Sequence, residues 1–217
     1  LEYAPQAIQM KGGANGTKCE YYNAYNRAYK ALIIVLPNVE CYAGTCYLAW
    51  RTSRTEDYAD RYSIAYCSLG SDGTGRECKY TLIHEAGGHG FGKLADEYIY
   101  CNAFIQSCRC DCCKHIPNIK AMKNYGFFNN ISLVGNWNEI EWSHMIFDPQ
   151  YSNSVDIYEG AYYHSRGVYR SEATSCMNNN IPYYNAISRE AMVKRIMEYA
   201  GEEYSFEAFK AKDYESL

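Results

Sequence analysis

Residues 81–98 read T-L-I-H-E-A-G-G-H-G-F-G-K-L-A-D-E-Y, with two histidines set five positions apart. The fifteen residues from His84 to Tyr98 hold two imidazoles, three carboxylates and four glycines behind a short apolar run. His-Glu followed by a second His, a glycine break and an acidic residue suits a metal-dependent hydrolase. Two neutral nitrogen donors come from one helix, the adjacent carboxylate takes a proton from water, and a turn brings in a third ligand. This chemistry constrains the backbone. In the common H-E-x-x-H spacing the two side chains stand about 40° apart around a helix. At five residues they stand roughly 140° apart on a regular α-helix, too far to share an ion. One extra residue in the turn, a π-type bulge, restores the alignment. Gly87 and Gly88 make that distortion inexpensive, since each already weakens an α-helix by about 1 kcal/mol. The spacing therefore predicts a helix from about Lys79, bulged across residues 86–88 and ended by Gly90 and Gly92.

A chain of 217 residues can bury a proper core, as one sizeable domain or two lobes. The formal charge of −4 gives no basic footprint, so nucleic acid is not an expected partner. The longest apolar run, residues 31–36, is strand-sized and far short of the ~20 residues that span a bilayer. No signal peptide is legible, and Leu1 is not an initiator Met, so a processed or trimmed form is expected. Eleven cysteines would support five disulfides and point to an oxidising compartment: secreted, periplasmic or at the cell surface. Cys41/Cys46 and Cys67/Cys78 have the spacing of local loop staples. The knot C-R-C-D-C-C at residues 108–113, with His115 just behind it, is the alternative: a second, structural zinc. The 24 tyrosines read by default as half-buried packing with hydroxyls at the surface.

Along the chain, residues 19–30 carry aromatic side chains at helical spacing, and residues 31–37 form a β-branched run expected to be a central strand. Residues 46–53 and 61–69 are the next strand candidates, with a polar loop at 56–60 and a turn at 71–75. Residues 99–165 read as loop-rich. Residues 188–200 form an amphipathic pattern, with Ser188 as cap, Met192, Ile196 and Tyr199 inward, and Gly201 as the stop. A short final helix is expected over residues 205–211.

The run H-E-A-G-G-H-G-F-G-K-L-A-D-E-Y resembles the active-site segment of the IgA-peptidase-type zinc metallopeptidases, a bacterial family with metzincin-like folds. Y-E-G-A-Y-Y-H-S-R-G-V-Y-R-S-E-A-T-S-C-M-N-N-N, residues 158–180, is similar to the family's G-V-Y-R…S-x-M segment, and A-L-I-I-V-L-P-N matches its early strand. The likeness covers about residues 20–200. It implies an α+β, metzincin-like zincin: a mixed twisted sheet, a zinc-binding helix and a loop-rich C-terminal lobe ending in a helix. Residues 1–217 would form a single catalytic domain, with an upper lobe at about 1–92 and a lower lobe at about 93–217. Larger members carry an extra N-terminal β-rich domain, which residues 1–217 are not expected to contain.

Carried over residue by residue, the resemblance implies zinc (Zn2+) bound by His84, His89 and Asp96. Metzincins place the third ligand six residues after the second His, whereas Asp96 stands at the seventh and Glu97 at the eighth. Glu97 would then orient a ligand histidine or cap a turn. H-E-x-x-G-H-G-x-G-K-L is also similar to the zinc run of dipeptidyl peptidase III, which would instead draw its third ligand from Glu139 or Glu141. Met177, in S-C-M, would be the methionine of a Met-turn, an apolar floor rather than a ligand. Glu85 would be the general base, and Tyr169 or His144 the donor to the developing oxyanion. Arg170 either binds a substrate carboxylate or pairs with Glu172. An edge strand at residues 46–53 or 61–69 would hold an extended substrate. The expected activity is a secreted zinc endopeptidase acting on a protein or peptide substrate. The competing reading is a non-catalytic module whose zinc stabilises an adhesion surface.

Overall fold

The computed structural model describes residues 31–39, 43–48, 63–70, 78–105 and 115–213. The expected helix at 19–30, the loop at 56–60, the turn at 71–75 and the cysteine knot at 108–113 lie outside them. The chain divides into two compact units, residues 1–91 and 92–217. The described elements mix α and β, with two mixed sheets.

In the first unit, β1 (Leu32–Val35), β2 (Gly44–Leu48) and β3 (Ser63–Cys67) form a sheet of order β1-β3-β2. β1 runs parallel to β3 in register Leu32↔Ser63, and β2 runs antiparallel to β3 in register Gly44↔Cys67. The apolar run at 31–37 does form a strand, but β3 takes the centre among the described strands. Ile64, Ala65 and Cys67 of β3 are fully buried, whereas Ile34 of β1 is exposed. Then α1 (Cys78–Leu82) leads without a break into a π-helix, Ile83–Phe91. Ala86 of this helix packs with Ala65 and Cys67 into the unit's small core. A Cβ at Gly90 would stand 2.5 Å from Leu32 Cδ1 and 3.2 Å from the Glu85 carbonyl, so the glycine lets the helix close on β1. The backbone freedom expected of Gly90 and Gly92 falls elsewhere. The left-handed residue that turns the chain is Lys93, with φ 53°.

In the second unit, the eight-residue β7 (Tyr163–Arg170) organises a four-stranded sheet. β4 (Ile99–Phe104) runs parallel to it, while β5 (Ile131–Ser132) and β6 (Tyr158–Ala161) run antiparallel. Between these lie α2 (His115–Asn124) and α3 (Ser143–Ile146). The described part of residues 99–165 is thus more regular than its composition predicts. The strands are short and bulged, and neither period is legible in a stretch full of Tyr, Asn and Cys.

Three helices follow: α4 (Cys176–Asn179), α5 (Ala186–Ala200) and α6 (Phe206–Lys212). The α5 cap is Asn185, whose side chain accepts from the Ser188 N–H; Ser188 itself is buried. Gly201 stops the helix in the left-handed region at φ 71°. Its buried face is the first turn, with Ala186, Ile187, Ser188 and Glu190, rather than the expected stripe; Ile196 and Tyr199 are exposed. The core joins Ile140, Trp142, Met145, Tyr151 and Val155 to Ala186, Ile187 and Phe209. Trp142 is anchored by its indole N–H, which donates to the Asp156 carbonyl at 3.0 Å.

No helix among the described residues is long and apolar enough to cross a membrane.

Candidate metal centre

The π-helix carries two of the three candidate ligands. Its i→i+5 hydrogen bonding brings residues five apart into line, which an α-helix cannot do. The distortion expected over residues 86–88 extends over nine residues. The His84 and His89 ring centroids are 4.9 Å apart, with the planes at 76°. One ligand atom from each of His84, His89 and Asp96 lies within 4.8 Å of the other two, and this group could hold a metal ion. Two imidazole nitrogens and one carboxylate oxygen form a donor set suited to a first-row dication with an open coordination position. His84 and Asp96 are buried and His89 is half-buried.

Asp96 is held from its own unit. The Tyr163 hydroxyl donates to Asp96 Oδ2 at 2.5 Å, and the Asp96 carbonyl accepts the Tyr162 N–H at 3.1 Å. Burial, then the Asp96 charge, pushes the Tyr163 phenol well above its ordinary range, so it remains a donor. A partner of this kind fixes which carboxylate oxygen is left to a metal. Tyr163 is the site residue that sequence reasoning missed. It stands 67 positions from Asp96 among 24 tyrosines, with no local spacing to single it out.

Glu85 is buried beside His84 and lies against the start of β2. A Cβ at Gly44 would stand 2.7 Å from Glu85 Cγ and 2.8 Å from Oε1, so Gly44 opens the space that this side chain occupies. Its charge reaches β3 as well. The Cys67 thiol is pushed up to about 12, first by burial, then by Glu85 and Cys78. Cys67 and Cys78 are free thiols, which corrects the expected staple between them. Cys67 faces inward and its sulfur contacts the Thr81 carbonyl at 3.9 Å. The Cys41/Cys46 pairing lies partly outside the described residues.

Glu97 orients no histidine among its described bonds. Fully buried, its carboxylate accepts from Ser175 Oγ at 2.5 Å, Asn130 Nδ2 at 2.9 Å and Asn185 Nδ2 at 2.9 Å. Burial raises its pKa, and these three hydrogen bonds oppose the rise. Ser175 and Asn185 are the caps of α4 and α5, so one carboxylate ties two helix starts to the segment carrying Asp96. Met177 is fully buried in the single turn of α4, and its carbonyl accepts the Glu97 N–H at 2.8 Å.

Other candidates are engaged elsewhere. A Cβ at Gly135 would stand 2.6 Å from Tyr169 Cε1, and the Tyr169 ring packs beside the Trp142 cluster. Six residues separate it from Tyr163 on β7, about 20 Å of strand. His144 lies 3.1 Å from Glu190 and edge-on to Phe206. Arg170 donates to the backbone carbonyls of Gly160 and Glu172. The Glu172 carboxylate instead accepts from the Ala186 N–H and the Tyr183 hydroxyl. Glu141 pairs with Lys123 at 2.9 Å, and neither it nor Glu139 belongs to a metal-competent group among the described residues. Behind the cysteine knot, His115 Nδ1 lies 2.9 Å from Nε2 of the fully buried His164.

No protein-family model matches the chain, and no curated protein matches it.

Proposed function

We propose that the protein is a zinc-dependent endopeptidase exported from the cell, with His84, His89 and Asp96 as metal ligands and Glu85 as general base. The observation that carries this reading is the convergence of those three donors, made possible by a π-helix that a purely structural segment would have no reason to adopt. Support also comes from Glu85, which lies beside the first ligand but outside the donor group, and from the resemblance of residues 81–98 and 158–180 to IgA-peptidase-type enzymes.

When bound, zinc supplies Lewis acidity towards a peptide carbonyl and acidifies water. The chain's own residues do the rest. Glu85, buried and held against Gly44, takes the proton from the attacking water and delivers it to the leaving amine nitrogen. Tyr163 keeps Asp96 oriented, and Glu97 fixes the backbone that follows it. Met177 remains the proposed Met-turn residue, whereas Tyr169, packed beside the Trp142 cluster, is not proposed as the oxyanion donor.

The test is hydrolysis of casein by zinc-loaded protein, with and without a chelator, beside the Glu85→Gln variant. The expected result is one zinc per chain in both proteins, chelator-sensitive cleavage by the native chain, and a loss of about a thousandfold or more in the variant. Equal cleavage by zinc-loaded Glu85→Gln would falsify the assignment. Zinc binding with no cleavage by either protein would favour an adhesion module.

A further inference from the structure

Asp96 is attached to a stack of tyrosines that ends in an exposed ring. The Tyr163 ring, whose hydroxyl holds Asp96, lies parallel to that of Tyr100, with centroids 5.7 Å apart and planes 9° from parallel. Tyr98 braces both, at 4.8 Å from Tyr100 and 5.3 Å from Tyr163. Tyr163 also meets Tyr162 at 5.0 Å and His115 at 5.5 Å. Tyr98 and Tyr162 are held among these rings, yet Tyr100 is 80% exposed. Tyr163 stacks parallel to its ring, and most of the ring's surface stays open.

An exposed aromatic side chain normally gains little from being ordered. Here two rings, Tyr163 and Tyr98, fix its orientation in advance, which reduces the entropy lost when a partner stacks on it. The surroundings suit an extended polypeptide. Tyr100 lies on β4, whose Ile99 and Phe104 are also exposed, and β4 is at the end of its sheet among the described residues. A strand edge offers backbone hydrogen bonds, and a flat π-face selects an aromatic side chain by offset stacking.

We propose that the exposed ring of Tyr100 is a specificity subsite that seats an aromatic side chain of an extended polypeptide substrate, close to the bond cleaved. This rests on the endopeptidase reading, because continuity with Asp96 is what makes the platform part of a substrate path. With Tyr163 as the single ring between platform and ligand, the seated residue lies about one to three positions from the scissile bond.

The experiment uses the full chain, zinc-loaded, with quenched fluorogenic peptides differing only in Phe or Ala at each position flanking the cleaved bond. At one position the native protein is expected to favour Phe by about fivefold to tenfold in kcat/KM. Tyr100→Ala should bring that Phe-to-Ala ratio to about one, and Tyr100→Phe should preserve it. A second arm measures binding of the same peptides to Glu85→Gln by fluorescence anisotropy, with and without Tyr100→Ala. If nothing is cleaved, the endopeptidase reading fails, and this arm alone decides the platform. A Phe preference that survives Tyr100→Ala in both arms overturns the subsite. So does the absence of any Phe preference in native and Glu85→Gln proteins, or displacement of the Phe peptide by a soluble oligosaccharide but not by a second Phe peptide.

Discussion

Glu97 and Glu85 are both buried carboxylates, yet their surroundings differ. Glu97 is saturated by Ser175, Asn130 and Asn185, and removing it would strand three buried donors at once. Each stranded donor costs about 1–3 kcal/mol. Glu97→Ala should therefore destabilise the protein by about 3–5 kcal/mol in urea denaturation, and Glu97→Gln by less, because the amide keeps one acceptor. Glu85 has a glycine where a methyl group would press on it. Gly44→Ala forces the side chain to shift, and a displacement of about 1 Å at a catalytic group can cost a hundredfold. The expected phenotype is a fall in casein cleavage of about tenfold to a hundredfold with zinc content unchanged. A parallel loss of zinc would show that the methyl group perturbs the helix instead. The proposal for Glu85 comes from its place after His84, whereas the closeness of Gly44 could not be read from sequence. It depends on a pairing between residues 41 positions apart, and no local pattern announces it.

At the level of elements, the five-residue histidine spacing foretold an irregular helix, because an α-helix and a shared ion are geometrically incompatible at that spacing. Its extent, nine residues rather than one bulged turn, was not foretold. Periodicity locates a distortion but does not measure how far hydrogen bonding re-registers around it. Gly87→Ala tests the idea. By favouring α over π geometry by about 1 kcal/mol, it should weaken zinc binding roughly fivefold in a chelator competition.

Helix α5 shows the reverse case, in which its existence and its stop were legible and its buried face was not. The stripe Met192, Ile196 and Tyr199 looked inward by spacing alone, but the core meets the first turn, where a polar Glu190 is buried. Burial would raise the Glu190 carboxyl, yet hydrogen bonds from His144, Lys194 and Tyr204 outweigh it and bring the pKa down to about 2. A depressed carboxyl contributes stability that is complete above its ordinary value near 4.5 and is lost as pH falls towards 2. The stability gap between native protein and Glu190→Gln, measured by urea denaturation, should therefore shrink from pH 5 to pH 2.5 and change little between pH 6 and pH 8.

Over the whole molecule, the mixed α and β character and strands β1 and β3 were legible in the sequence, whereas β2, expected over 46–53, begins at Gly44. The second unit's sheet was not legible. Its centre, β7, reads Y-H-S-R-G-V-Y-R, and a Tyr-rich strand without clean alternation carries little period. The same unit holds a buried cluster built around Trp142, Ile187 and Phe209, and nothing in that cluster depends on a metal. Its fold should therefore persist without zinc, while zinc adds stability only through linkage. At a free zinc concentration a hundredfold above Kd, that contribution is about 2.7 kcal/mol. For a chain of this size each kcal/mol moves the thermal midpoint by roughly 2–4 °C. Chelation should accordingly lower Tm by about 5–10 °C in calorimetry, with far-UV circular dichroism at 20 °C nearly unchanged. Collapse of the dichroism on chelation would mean that zinc organises the fold itself, as in a closed structural site, and would argue against an open catalytic one.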